Sequence, residues 1–317
     1  MVLEKKQESN PQISIVSPVY RAENIVETFI ERVVDAVTKI TPDYEIILVD
    51  DGSSDRSWEK IRKICRANTK VRGIRLSRNF GQHVAINACL EFSRGDCVVL
   101  MDCDLQDDPA YIKEMYRLID DQTDYVITIR QGKKQSLLRK VAGWFYYKVY
   151  NWLANTDLNT NIGTYSLLCR KVVDAYLEVG DYSRYYLLVL SWLGFSRKSL
   201  IVENQQRYNG KSSYSIMRLV KIAFTSITSN SEKLLNLAII TGIIYMAASV
   251  VSGVYIVIDI QYFKGVYASG WPSIFVLLLF SIGIILFCVG IAALYIGNIF
   301  TQVKGRPRYI VGEKINL

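Results

Sequence analysis

The sequence predicts an α/β fold, a mostly parallel sheet with helices on both faces, followed by two C-terminal transmembrane helices. Three observations predict it. Short apolar runs alternate with segments of helical spacing from Ile13 to Ile129, the pattern of strands joined by crossover helices. Two of these runs stop abruptly in acid, Tyr44 to Val49 at Asp50-Asp51 and Val98 to Met101 at Asp102-Cys103-Asp104. From Leu234 to Ile258 and from Ser273 to Phe300 the chain carries no charge, and each run can cross a hydrocarbon layer of about 30 Å at about 1.5 Å per residue.

In chain order, Ile13 to Val19 reads as the first strand, and Glu23 to Ile40 as a helix with Ile25, Phe29, Val33, Val34 and Val37 on one face. Tyr44 to Val49 is the second strand, and Ser54 or Asp55 is placed to cap the helix after it. Val71 to Leu76, Asp96 to Met101 and Tyr125 to Ile129 follow as strands; Gly81 to Ser93 is a helix, and Pro109 opens another. Gln135 to Asn155 mixes Trp144, Phe145, Tyr147, Tyr150 and Trp152 with Arg139, Lys140 and Lys148, which suits either a membrane interface or burial against the sheet. Asn161 to Lys171 reads as a glycine turn leading into a strand, Ser199 to Arg207 as extended chain, and Arg207 to Tyr214 as a basic loop hinged at Gly210. Arg218 to Lys233 is expected to lie along the membrane surface as a second interfacial helix.

The expected organisation is therefore a cytoplasmic catalytic domain over 1–215, a juxtamembrane amphipathic helix over 216–233, a two-helix transmembrane hairpin over 234–300 and a cytoplasmic tail over 301–317. Basic residues flank the outer ends of the hairpin, Arg218, Lys221 and Lys233 before it and Lys304, Arg306 and Arg308 after it, whereas the linker between the spans holds one lysine. This asymmetry places both termini in the cytoplasm, and the polar start MVLEKKQESNPQ is not a signal peptide.

The formal net charge is +8, but no nucleic-acid-binding motif accompanies it, so nucleic acid is excluded as a partner in favour of anionic lipid and anionic substrates. Six cysteines form no CxxC pair, and His83 is the single histidine. Neither a zinc site nor a disulfide framework is expected; the cysteines read as reduced thiols packed as small hydrophobes.

Three carboxylates and an amide within Asp102 to Asp107 are hard oxygen donors suited to a divalent cation, with a solvated acidic turn as the alternative. In an open α/β sheet, ligands bind beyond the carboxyl ends of the strands, so Asp50-Asp51 and Asp102-Asp104 are expected at one edge. A metal-bound diphosphate fits that edge.

With the loop at Arg207 and the two C-terminal spans, these motifs resemble glycosyltransferase family 2, with its GT-A (Rossmann-like) fold. The closer likeness is to the polyprenyl-phosphate glycosyltransferases, and it runs from Ile13 to Tyr309. It implies that Pro18, Tyr20, Asp50, Asp51, Gly52, Ser53, Asn79, Gly81, Gln82 and Asp102 bind a nucleotide sugar. It further implies that Asp102, Asp104 and Gln106 surround Mg2+ or Mn2+, and that Arg130, Arg139, Arg207 and Lys211 lie near phosphates. Asp104, Arg130 and Arg207 would act in catalysis. Thr164 stands where relatives often carry an acidic residue proposed as a base, and Ser213 where they usually carry lysine.

The implied activity is inverting transfer of a sugar from a nucleotide sugar, UDP-linked in the closer bacterial relatives, to a polyprenyl phosphate such as undecaprenyl phosphate. It implies a multi-pass protein of the inner membrane, with the oligomeric state open and a homo-oligomer among the options. A catalytically silent nucleotide-sugar-binding membrane protein, a nucleotidyltransferase and a processive polysaccharide synthase are the other readings. The synthase normally carries QxxRW, to which only Gln205-Gln206-Arg207-Tyr208 comes near.

Overall fold

The computed structural model describes residues 11–131, 162–182, 184–203, 233–258, 262 and 271–317. The chain divides into two compact units, one built from Met1–Tyr147, Thr156–Ser213 and Arg306–Leu317, the other from Lys148–Asn155 and Tyr214–Gly305.

The first unit is built on an eight-stranded sheet. Its strands are β1 (Ile13–Val19), β2 (Tyr44–Asp50), β3 (Val71–Leu76), β4 (Cys97–Leu100), β5 (Tyr125–Gln131), β6 (Ile162–Cys169), β7 (Arg197–Glu203) and β8 (Val311–Ile315). They lie in the order β7-β5-β6-β4-β1-β2-β3-β8. β4, β1, β2 and β3 are mutually parallel, and β7 is parallel to β5. β6 runs antiparallel to both β4 and β5, and β8 antiparallel to β3. Six strands thus run one way, as the mostly parallel expectation requires, and β6 and β8 run the other, which makes the sheet mixed.

Side chains alternate across the sheet. On β2, Ile46 and Leu48 join one apolar layer with α1 (Val26–Thr38), α2 (Ser57–Ala67) and α4 (Ile112–Leu118). Ile47 and Val49 join the other with α3 (Gln82–Phe92), α5 (Arg170–Glu178) and α6 (Tyr186–Leu193). β2 is buried along its whole length, as a strand covered on both faces must be. The period of α1 is the one its sequence predicts, with Val26, Phe29, Ile30, Val33 and Val37 buried. At the start of α2, Asp55 Oδ1 accepts from Ser57 N at 3.1 Å and from Ser57 Oγ at 2.6 Å.

The segment expected to be a tail contributes β8 on the β3 edge. Glu313 accepts from Trp58 Nε1 at 2.9 Å, and Asn316 Nδ2 donates to Cys65 O and Val71 O at 2.7 and 2.8 Å. Backbone pairing and side-chain bonds together cover an edge that would otherwise expose unpaired amides.

In the second unit the two uncharged runs form α7 (Lys233–Ile258) and α8 (Trp271–Val303). Tyr245 Oη and Ser281 Oγ lie 3.0 Å apart between them. Among the described residues one stretch, Phe280–Val303, is long and apolar enough to cross a membrane; its mean hydropathy is 2.4, and only 6% of its most apolar window is buried, unlike a core helix. The expected interfacial segments, 135–155 and 218–233, lie outside the described residues apart from Lys233, the first residue of α7.

Candidate active site

The parallel run β4-β1-β2 brings Val19, Asp50 and Met101 to one edge of the sheet. Because β6 is antiparallel to β4, it is its first residues, Gly163 and Thr164, that reach the same edge, along with the last residues of β5. The two acidic motifs expected to converge therefore do so, and they are joined by residues from β5 and β6.

Asp50 is fully buried at the end of β2. Its Oδ2 accepts from Ser53 N at 3.2 Å and lies 3.6 Å from Arg75 Nε, while its Oδ1 is buried without a hydrogen-bond partner. Asp51 clamps the next loop: Oδ1 accepts from Phe80 N at 2.7 Å and Oδ2 from Gly81 N at 2.9 Å. Burial raises the pKa of both carboxyls, opposed at Asp50 by Ser53 and at Asp51 by the amides of Phe80 and Gly81. Gly52 has φ +64, and a Cβ there would lie 2.4 Å from the backbone carbon of Arg78. Only glycine lets the two loops meet so closely. Ser53 Oγ accepts from Arg21 N at 3.0 Å, fixing the chain after β1, where Tyr20 is 46% exposed with the Arg21 guanidinium 5.3 Å from its ring centroid.

Beyond β4, Asp102 Oδ1 accepts from Gln82 Nε2 at 2.9 Å and Oδ2 from Thr164 Oγ1 at 3.0 Å. Its pKa is pushed up to about 6, first by burial and then by the negative charges of Asp104 and Asp107; Thr164 and Arg130 oppose the rise. Asp104 accepts from Gln106 N at 3.1 Å and from Gln106 Nε2 at 2.8 Å. Between them Leu105 sits at φ +58 with its side chain in the apolar layer. A leucine in the left-handed region costs about 1–2 kcal/mol, the kind of backbone strain that clusters at functional sites.

Asp107 and Arg130 form a bidentate pair, Nε to Oδ1 at 3.1 Å and Nη2 to Oδ2 at 2.7 Å, with Asp107 buried. Arg130, expected near a phosphate, is thus already bound to a carboxylate. Asp108 caps the short helical turn that Pro109 opens, accepting from Ala110 N at 3.0 Å. Gly163, expected in a turn, lies within β6, and a Cβ there would stand 3.1 Å from Arg130 Nε. The glycine makes room for the guanidinium.

Among the described residues no three His, Cys, Asp or Glu side chains form a metal-binding group by themselves. Asp102, Asp104 and Gln106 supply two carboxylates and an amide. This suits a hard cation such as Mg2+, commonly held by one or two carboxylates plus substrate phosphates. The rise of Asp102 through its acidic neighbours is the electrostatic counterpart: a divalent cation would relieve that crowding. Pro18 is the penultimate residue of β1, paired with Val49 of β2, and Asn79 lies in the loop that Asp51 holds. Arg139, Arg207 and Lys211 lie outside the described residues.

The pairing of Thr164 with Asp102 and of Arg130 with Asp107 is not visible from the sequence, because each joins residues brought together by strand order alone. The one signal was indirect: Thr164 and Gly163 stand in a motif singled out for its departure from an acidic pattern.

The model of the family described as Glycosyl transferase family 2 matches residues 14–177. An uncharacterized glycosyltransferase of Bacillus subtilis (strain 168), YkcC, is 31% identical over 307 residues, covering 96% of this chain and 95% of its own length. The undecaprenyl-phosphate 4-deoxy-4-formamido-L-arabinose transferase of Photorhabdus laumondii subsp. laumondii is 30% identical over 312 residues, covering 96% of this chain and 94% of its own. Among solved structures, glucosyl-3-phosphoglycerate synthase from Mycobacterium tuberculosis, with Mn2+, uridine diphosphate and glucosyl-3-phosphoglycerate, aligns at a TM-score of 0.48 and 17% identity over 69% of this chain and 78% of that one.

Proposed function

The chain belongs to glycosyl transferase family 2, and from that membership we propose that it transfers a sugar from a nucleotide sugar, UDP-linked, to undecaprenyl phosphate at the cytoplasmic face of the inner membrane. The observation that carries this reading is the double tether of Asp102. Gln82, which opens α3 right after the loop clamped by Asp51, holds one oxygen, and Thr164 holds the other from β6. The nucleotide loop, the acidic turn and the start of β6 therefore act as one assembly.

In this reading the unpartnered Asp50 Oδ1 is the acceptor for a nucleobase imide N–H. An unpaired buried acceptor costs about 1–3 kcal/mol, which such a contact would recover. Asp102 and Asp104 hold the divalent ion, with Gln106 fixing Asp104 and adding its amide oxygen. Bound there, Mg2+ or Mn2+ would offset the charge that grows on the departing diphosphate.

The attacking group is a lipid phosphate whose second pKa is about 6, so it is largely dianionic at neutral pH and needs no side-chain base. Thr164 accordingly serves to orient Asp102. Arg130, held in place by Asp107, contributes a fixed positive charge beside the acidic turn rather than a free clamp. Arg139, Arg207 and Lys211 are assigned to the phosphates by family pattern. A single displacement inverts the anomeric centre, and positioning supplies much of the rate.

The acceptor assignment is supported by the Photorhabdus relative, whose name specifies undecaprenyl phosphate, and by the apolar helix Phe280–Val303. The second span over α7, the amphipathic helix over 216–233 and the cytoplasmic placement of both termini complete the proposal. The test is to incubate membranes holding the chain with a panel of labelled nucleotide sugars, with and without undecaprenyl phosphate. The proposal expects one donor to yield an acid-labile lipid-phosphate sugar only when the acceptor is added. Label transfer to water alone, or to no lipid from any donor, would overturn it.

A further inference from the structure

At the end of the sheet opposite the acidic edge, Cys97 opens β4 and Cys169 closes β6, and the antiparallel register sets them directly across from each other. Cys97 N donates to Gln12 O at 3.1 Å and Cys169 N to Asp124 O at 3.0 Å, so both amides point away from the pair. The adjoining bond, Arg170 N to Asp96 O at 2.8 Å, flanks it. This is the pattern of a non-hydrogen-bonded antiparallel pair, in which Cα atoms approach to about 4.5 Å. A disulfide spans about 4.4–6.8 Å between Cα atoms, so the site lies at the short end of the permitted range. Residues directly opposite on paired strands project to the same face; Cys97 packs against the layer that holds Val99 and Leu167, and alternation along β6 puts Cys169 on the same face as Leu167.

The paired thiols perturb each other: Cys97, with the Lys171 ammonium, lowers the pKa of Cys169, while Cys169 and burial push Cys97 up. Both cysteines are partly exposed, whereas Cys65, Cys89 and Cys103 are buried.

We propose that Cys97 and Cys169 form a reversible dithiol–disulfide pair, a modification site for oxidised low-molecular-weight thiols. The Cys169 thiolate attacks one sulfur of the small disulfide, forming a mixed disulfide and expelling one small thiolate. Cys97, deprotonated in turn, attacks Cys169 sulfur and expels the second. Two protons pass from the protein thiols to the two small thiols released; the protein pair is oxidised by two electrons and the small disulfide is reduced by two. Disulfides that are strained or exposed are the readily reduced ones, so the link is expected to be transient in a reducing cytoplasm. This inference does not depend on the sugar or lipid assignment.

The test treats the full chain in detergent with oxidised glutathione, blocks remaining thiols with N-ethylmaleimide, and maps peptides without reduction. The expected result is loss of label at Cys97 and Cys169 together, a linked peptide pair lacking two hydrogens, and full recovery of both labels with dithiothreitol. In Cys97→Ser the link must vanish and Cys169 must carry glutathione instead; because Cys97 and Cys103 share a tryptic peptide, this variant also assigns the partner. Retention of both labels, a stable mixed disulfide at Cys169 in the unsubstituted chain, or a link that survives Cys97→Ser would each overturn the proposal.

Discussion

Thr164 Oγ1 donates to Asp102 Oδ2 at 3.0 Å, tying the first residues of β6 to the acid that ends β4. In the proposed reaction the bond would make Thr164 a positioning residue, with no proton transfer to or from substrate. Replacing it with valine removes one donor from a half-buried carboxylate, worth about 1.5–3 kcal/mol, or roughly ten- to a hundredfold in rate. Transfer by Thr164→Val at pH 8, where the acceptor phosphate is dianionic, is therefore expected to fall by no more than about a hundredfold. A fall of several orders of magnitude would show that the hydroxyl takes a direct part in the reaction.

Asp102→Asn separates stability from activity. The Asp102 pKa is raised to about 6 in the folded chain, so the carboxylate penalises folding. The penalty is absent below the ordinary carboxylate range and grows as pH rises through about 6. The metal-free Asn variant is expected to be more stable than the parent at pH 7, by up to about 3 kcal/mol, with the gain fading toward pH 4, and to lose transfer activity. Thermal unfolding of both proteins in chelator at the two pH values checks the sign.

The Asp107–Arg130 pair is buried on the acid side, and removing one partner leaves the other charge uncompensated. Asp107→Leu is expected to destabilise the chain by about 3–5 kcal/mol. Arg130→Met combined with Asp107→Leu is expected to recover much of that loss. Denaturant unfolding of the two single variants and the double variant measures the coupling directly.

Gly52→Ala places a methyl group 2.4 Å from the Arg78 carbonyl carbon at a left-handed backbone angle. Backbone on both sides must shift, so the loop at Arg78 is expected to detach from Asp51. The readout is limited trypsin digestion, with cleavage after Arg78 at least about tenfold faster than in the parent, as for a locally opened segment. The affinity for the nucleotide donor should fall in parallel.

Much of this site was legible in the sequence because its acids follow apolar runs, and a parallel sheet sends the carboxyl ends of its strands to one edge. Asp50, Asp51, Asp102 and Asp104 were found on that basis. The pairing of Arg130 with Asp107 was not legible, because the two lie on different elements and nothing local to either residue marks the pair. Gly163 was read as a turn since glycine is the usual turn residue, yet its purpose is to admit the Arg130 side chain. β8 was missed for a different reason: Val311-Gly312-Glu313-Lys314-Ile315 is a short, half-polar strand, and its pairing with β3 spans most of the chain.

The central claim is metal-assisted transfer at the acidic turn, and the most direct measurement is transfer of labelled sugar to undecaprenyl phosphate by the parent chain and by Asp104→Ala, each with Mg2+ or with excess chelator. The account predicts an inverted lipid-phosphate sugar from the parent with Mg2+, and a loss of at least about a hundredfold in either chelator or the variant. Undiminished transfer by Asp104→Ala, or by the parent in chelator, would contradict it.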